Sequence, residues 1–130
     1  MQKIFAVSDV HGYATLLKKA LADAGYDPGC KDHLLICCGD IFDRGPENYD
    51  VLRFFERIER KVLIMGNHEE NFLQILNTGR LNKHDFTNGT VETIREFFGK
   101  YSVMNTFDPV DFSGRTSMVN RVCDIIGEMK

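Results

Sequence analysis

The chain has 130 residues, 43% of them hydrophobic and 27% charged, with a formal net charge of −3 at pH 7. That length supports one buried core and not two, and the composition is that of a soluble globular protein. There is no basic excess to suggest a nucleic-acid or membrane-surface partner, no apolar run long enough to span a bilayer, and no signal-peptide pattern at the start. One domain over residues 1–130 in a reducing, cytoplasmic setting is the expectation. The four cysteines (Cys30, Cys37, Cys38, Cys123) fit it, because they follow neither zinc nor disulfide spacing, and Cys37 and Cys38 read as small buried hydrophobes.

In chain order, the first element is an apolar, β-prone run, "KIFAVSDVHG" (Lys3 to Gly12), that closes in Asp9 and His11. Leu16, Leu17, Ala20, Leu21 and Ala24 then recur at helical spacing. A second strand, "HLLICCGDIFDRG" (His33 to Gly45), closes in Asp40, Asp43 and Arg44, and a second helical stripe follows at Val51, Phe54, Phe55 and Ile58. The third strand, "KVLIMGNHEE" (Lys61 to Glu70), closes in Asn67 and His68. Beyond it the pattern is helical: Phe72, Leu73 and Leu76; then Val91, Ile94, Phe97, Phe98 and Tyr101 with Thr90 as N-cap; then Met118, Val119, Val122, Ile125 and Ile126. Residues 79–89 and 105–115 read as loops, and there is no repeat or linker.

Strand ends 31 and 27 residues apart (Asp9 to Asp40, Asp40 to Asn67) match the roughly 30 residues of a β-α-β unit. The expected fold is therefore α/β: a β-α-β-α-β parallel sheet flanked by helices and buried on both faces, with a helical C-terminal part. In a parallel sheet all carboxyl ends share one edge. Asp9, His11, Asp40, Asp43, Arg44, Asn67 and His68 should converge there.

Carboxylates, one imidazole and one amide oxygen form a mixed, fairly hard ligand set, better suited to Mn²⁺, Fe or Zn than a closed thiolate site is. Asp9, His11 and Asp40 can share one ion, and Asp40 can bridge it to a second that also takes Asn67. Paired metals suit in-line displacement at phosphorus. Arg44 offers a planar fork that matches phosphate, His68 is placed to protonate a leaving alkoxide, and Asp43 can fix the tautomer of His68. Taken singly, each set has a plainer reading: a solvated strand end, an ion pair entering a turn, a helix cap followed by a surface histidine. Three sets at three successive strand ends do not arise from solvated ends by accident. His33 and His84 stand outside those ends and read as a strand-edge residue and a loop residue.

The segments "DVHG", "GDIFDRG" and "GNHEE" resemble the first three motifs of the calcineurin-like metallophosphoesterase superfamily. The Asp-Arg-Gly form resembles the branch holding the serine/threonine phosphoprotein phosphatases and the symmetrical diadenosine tetraphosphatases. The likeness covers roughly residues 3 to 76. It implies the N-terminal half of an α/β/β/α sandwich. It also implies metal ligation by Asp9, His11, Asp40 and Asn67, phosphate binding by Arg44, and an acid dyad of His68 with Asp43. The intact family fold carries two divalent ions, with Mn²⁺ foremost and Fe or Zn as alternatives. Two further histidine ligands expected of the family have no counterpart after His84. The chain therefore reads as an N-terminal portion with one nearly complete metal site.

The expected function is metal-dependent hydrolysis of a phosphate monoester by direct attack of water, on a phosphorylated protein or a small phosphoester, in the manner of a serine/threonine phosphatase. The alternatives are a diadenosine tetraphosphate hydrolase, which shares every motif, and a catalytically impaired phosphate-binding module.

Overall fold

Short runs of Val, Ile, Leu and Phe form the three strands β1 (Lys3–Val7), β2 (His33–Cys37) and β3 (Lys61–Leu63). In the computed structural model, which describes residues 1–105 and 108–130, they make one parallel sheet in the order β1-β2-β3. The register pairs Lys3 with His33 through Val7 with Cys37, and Leu35 with Lys61 through Cys37 with Leu63. Helices α1 (Ala14–Asp23) and α2 (Asn48–Arg57) form the two crossovers. After β3 come α3 (Asn67–Thr78), a short 3-10 helix (Lys83–Phe86), α4 (Thr90–Phe98) and α5 (Thr116–Gly127). The β-α-β-α-β order and the helical C-terminal part are as the spacing predicts.

One sheet face packs well. Leu35, Cys37 and Leu63 are buried and Phe5 and Val7 lie against the core, while α2 packs on α1, α4 and α5 and α3 packs on α5. The opposite face departs from expectation. Side chains alternate across a strand, and there Ile4 is 61% exposed, Ala6 is exposed, and Leu34, Ile36 and Val62 are only half-buried. A continuous apolar run does not reveal whether residues of the same chain cover both of its sides. Along the outer edge of β3, Lys130 brackets Ile64: its N–H donates to the Leu63 carbonyl and its carbonyl accepts from the Met65 N–H, each at 2.9 Å. That is the pattern of a parallel pairing.

Several local expectations are corrected. In α1 the buried residues are Ala14, Leu17 and Leu21, while Leu16, Ala20 and Ala24 face outward. α4 stops at Phe98, because Gly99 takes φ 104° and turns the chain away, so Tyr101 is exposed rather than part of the stripe. Cys37 is buried and its thiol is pushed up to about 12 by burial, but Cys38, one residue later on the alternation, is exposed. The 79–89 loop contains the 3-10 turn, closed by reciprocal bonds between Asn82 and Asp85. The 105–115 loop is regular-structure-free where described, and residues 106 and 107 lie outside the described residues. No helix among the described residues is long and apolar enough to cross a membrane.

Candidate active site

The apolar half of "GDIFDRG" explains how its charged half is held. Ile41 and Phe42 are buried, with the Phe42 ring packed 5.3 Å from that of Phe97 and 6.0 Å from that of Phe72. Their anchoring draws the loop back across the carboxyl edge of the sheet, where backbone hydrogen bonds join it to the loop after β1. The Asp9 N–H donates to Gly39 (3.1 Å), His11 to Asp40 (3.0 Å), Gly12 to Ile41 (2.9 Å), and Gly45 back to His11 (2.7 Å). Asp9, His11, Asp40, Asp43 and Arg44 all have φ between 46° and 85°, and no other non-glycine residue among those described has positive φ. Left-handed backbone at non-glycine residues costs energy and gathers where surrounding structure enforces it for function. Here every instance falls on a residue that the sequence nominates.

Asp9, His11 and Asp40 each present a ligand atom, and these atoms lie within 4.8 Å of one another. Phe42 accepts a hydrogen bond at 2.9 Å from His11 Nδ1, which fixes the proton there and leaves Nε2 as a lone-pair donor, 3.5 Å from Asp9 Oδ1. The Asp9 carboxyl is held below the usual carboxylate range, chiefly by the Ser8 hydroxyl at 2.6 Å, with His11 and Arg44 adding to the effect. Two carboxylates and an imidazole nitrogen oriented by a carbonyl fit a hard or borderline divalent cation.

Beside this cluster stands a second arrangement. His68 Nδ1 lies 2.7 Å from Asp43 Oδ2, and the His68 ring sits 4.8 Å from the His11 ring, edge to face. Asp43 is fully buried, which an isolated carboxylate would not tolerate. Its partners come from α4: Thr90 Oγ1 donates to Oδ2 at 2.7 Å and Thr93 Oγ1 to Oδ1 at 2.6 Å. Its N–H donates to Asn48 Oδ1 at 3.0 Å, and Asn48 is held in turn by Gly45 and Glu96. Thr90 is thus not the N-cap of α4. Gly89 occupies that position, and the Thr90 hydroxyl faces Asp43.

Glu69 supports Asp40 from below. It is fully buried in the first turn of α3 and accepts from the Asp40 N–H at 2.6 Å and the Ile41 N–H at 3.0 Å. Asp40 Oδ1 in turn accepts from the His68 N–H at 3.0 Å. Burial pushes the Glu69 carboxyl up to about 7, against the opposing pull of those N–H groups. Two glycines allow the approach. A Cβ on Gly66 would strike the Asp40 side chain and N–H, and one on Gly89 would strike the Arg44 backbone, with φ 95° adding strain.

The structure therefore gathers Asp9, His11 and Asp40 in one cluster and His68 with Asp43 in another beside it. Asn67 opens α3 next to His68, and Arg44 is exposed at the end of the same loop, near enough to act on Asp9. Glu69, Asn48, Thr90 and Thr93 were not legible as site residues. Thr90 was read only as an N-cap, and two threonines three apart inside an apolar helical stripe are the one trace the last pair leaves in the sequence. His84 is also placed differently from the plain loop reading, since it lines a cavity of about 180 Å³ with Asn67, His68, Asn71 and Asn88.

A parallel α/β sheet bearing an Asp-His-Asp cluster and a His–Asp pair on its carboxyl edge defines a metallophosphoesterase-type protein. Residues 2–126 match the family model of the calcineurin-like phosphoesterases, and the chain belongs to that family of metal-dependent hydrolases. Among relatives, it is 41% identical over 76 residues to serine/threonine-protein phosphatase 2 of Escherichia coli (strain K12), covering 58% of this chain and 34% of that protein. It is 36% identical over 73 residues to the symmetrical bis(5'-nucleosyl)-tetraphosphatase of Thioalkalivibrio sulfidiphilus (strain HL-EbGR7), covering 55% of this chain and 26% of that protein. A crystal structure of a protein provisionally described as a diadenosine tetraphosphatase superposes with a TM-score of 0.52 at 26% identity, over 57% of this chain and 32% of that one. The matched stretch thus spans at most 34% of these relatives.

Proposed function

We propose that residues 1–130 belong to one catalytic domain whose strand-end loops hydrolyse a phosphoric ester or anhydride with divalent metal, Mn²⁺ foremost. Asp9, His11 and Asp40 hold the first cation, and Asp40 with Asn67 contributes to a second. Bound there, the metal supplies Lewis acidity toward phosphoryl oxygens and water. Arg44 orients the phosphate through its guanidinium fork. His68 carries a proton at Nε2 for the leaving oxygen, while Asp43 holds the ring through Nδ1 and compensates the charge of the protonated ring before that proton is given up. Thr90 and Thr93 keep both Asp43 oxygens turned to that task.

The observation that carries this reading is the adjacency of the two clusters: three ligand atoms within 4.8 Å, and a 2.7 Å His–Asp pair whose ring meets that of His11 edge to face. The leaving group is read in two ways. A phosphorylated serine or threonine follows from the likeness to the E. coli phosphatase. A dinucleoside polyphosphate follows from the likeness to the tetraphosphatases. Parallel assays with Mn²⁺ on phosphopeptides, diadenosine tetraphosphate and an aryl phosphate test the reading. Metal-dependent release of phosphate or nucleotide supports it. Substrate turnover that persists in chelator contradicts it. His68→Asn should lower kcat about 10²–10⁴-fold with metal content unchanged; loss of metal in that variant would make His68 a ligand instead.

A further inference from the structure

We propose that the groove between α1 and α2 is an accessory anion site that takes a phosphoryl dianion carried on a small flat ring, with Lys18, Arg53 and Arg57 as the residues that hold it. The groove stands apart from the metal cluster: none of Asp9, His11, Asp40, Asn67 and His68 lines it, and its assignment is independent of theirs. Both helices leave the carboxyl edge of the sheet and run back toward the opposite edge. At the carboxyl edge their starts are tied together, because Glu47 accepts from the Thr15 N–H at 3.2 Å and from its Oγ1 at 2.6 Å. Beyond that tie the groove encloses about 300 Å³, at the small end of the range for small-molecule pockets.

Its charge runs against that of the chain, which is −3 overall. Three cations meet in the groove, and Asp50 is the one carboxylate among its described lining residues. Nearby charges are already matched: Glu56 holds Arg121 at 2.6 Å, and Asp23 holds Lys19 at 2.7 Å. Lys18, Arg53 and Arg57 make no hydrogen bond or ion pair among the described residues. Lys18 is near enough to act on Glu47, but the Glu47 oxygens are taken by Thr15. Arg53 Cζ lies 5.8 Å from the centre of the Tyr49 ring, a face contact that steadies the side chain and leaves its N–H groups to donate. Arg53 and Arg57 stand four apart on α2, and like charges at that spacing destabilise a helix. A bound dianion removes that repulsion. Two guanidinium forks side by side, facing an ammonium on α1, match a phosphoryl group. The rest of the lining fits a ring. Phe54 is half-buried beside Pro28, and an aromatic body stacks both on such a surface and on a guanidinium plane.

Phenylphosphonate, methylphosphonate and benzamide, titrated separately into the full chain without metal and again with Mn²⁺, test the assignment by calorimetry. A phosphonate has no ester bond to hydrolyse, so binding alone is read. The expected result in the metal-free chain is tighter binding of phenylphosphonate than of methylphosphonate, and none of benzamide. Arg57→Ala and Lys18→Ala should each weaken phenylphosphonate about 10–100-fold, the loss of hydrogen bonds to a charged group. Arg57→Lys should keep part of the affinity. The binding event that Arg57→Ala weakens should persist with Mn²⁺ present, and Mn²⁺ affinity should be the same in every variant, because none of these residues belongs to the metal cluster. Equal affinity for the two phosphonates, binding of benzamide, or phenylphosphonate affinity unchanged in both alanine variants overturns the proposal. Should a variant fold poorly, the backbone amide resonances of the unmodified metal-free chain decide. Shifts at Lys18, Arg53 and Arg57 with phenylphosphonate support the groove, and shifts confined to His11 and His68 place the anion at the sheet edge and overturn it.

Discussion

Glu69 has no route to solvent, yet its two oxygens hold the backbone of Asp40, the residue assigned to both cations. Removing it leaves the buried Ile41 N–H and the half-buried Asp40 N–H without their partner, at a cost of about 1–3 kcal/mol for the buried one. Glu69→Ala should therefore unfold at lower denaturant and bind Mn²⁺ more weakly, and a variant with unchanged unfolding would show that Asp40 is held by other means. The same residue sets a pH dependence in the metal-free chain. Its folded value of about 7 lies above the ordinary 4.5, so the folded state binds this proton more tightly than the unfolded state does. That contribution to stability is fully present below pH 4.5 and is lost as pH rises through 7, in total about 3 kcal/mol. Unfolding free energies of the chelated chain between pH 4.5 and 8 should fall more steeply than those of Glu69→Gln, and parallel slopes would contradict the assignment. At the first cluster, Asp40→Asn should weaken Mn²⁺ more than Asp9→Asn, since Asp40 is proposed to bridge and Asp9 is not; calorimetry giving the opposite order would remove the bridging role.

At the scale of elements, the loop after β2 and helix α4 behave as one device. Phe42 anchors the loop in the aromatic cluster with Phe72 and Phe97, and α4 supplies the two hydroxyls that hold the Asp43 carboxyl in place. Phe42→Ala should cost about 3–5 kcal/mol by cavity formation and release the loop that carries Asp40, Asp43 and Arg44. Thr93→Val keeps shape but removes one bond to a buried carboxylate. It should cost about 1–3 kcal/mol and lower kcat more than it raises KM; an unchanged kcat would mean that Thr93 only packs. The strand ends were legible because three polar sets followed three apolar runs at β-α-β spacing. The partners of Asp43 were not, because Thr90 and Thr93 lie 47 and 50 residues away and only tertiary packing brings them back. His84 was hidden for the same reason. Its loop has no periodicity, and the Asp85–Asn71 bond that turns it toward α3 leaves no mark on local pattern.

Across the whole molecule, topology was legible and coverage was not. Parallel order and the shared carboxyl edge follow from the alternation of strands and helices. The half-exposed Ile4, Leu34, Ile36 and Val62 face follows from which helices fold back on which side, and composition does not encode that. The central claim is that this sheet edge gathers three separate strand ends into one cation site. Calorimetric titration of Mn²⁺ into the chain, with elemental analysis, tests it most directly. The account predicts one tightly held ion per chain, since Asp9, His11 and Asp40 present three ligand atoms within 4.8 Å of one another, with a second held far more weakly by Asp40 and Asn67, and loss of the tight ion in His11→Ala. No tight ion in the unmodified chain, or tight binding that survives His11→Ala, would contradict it.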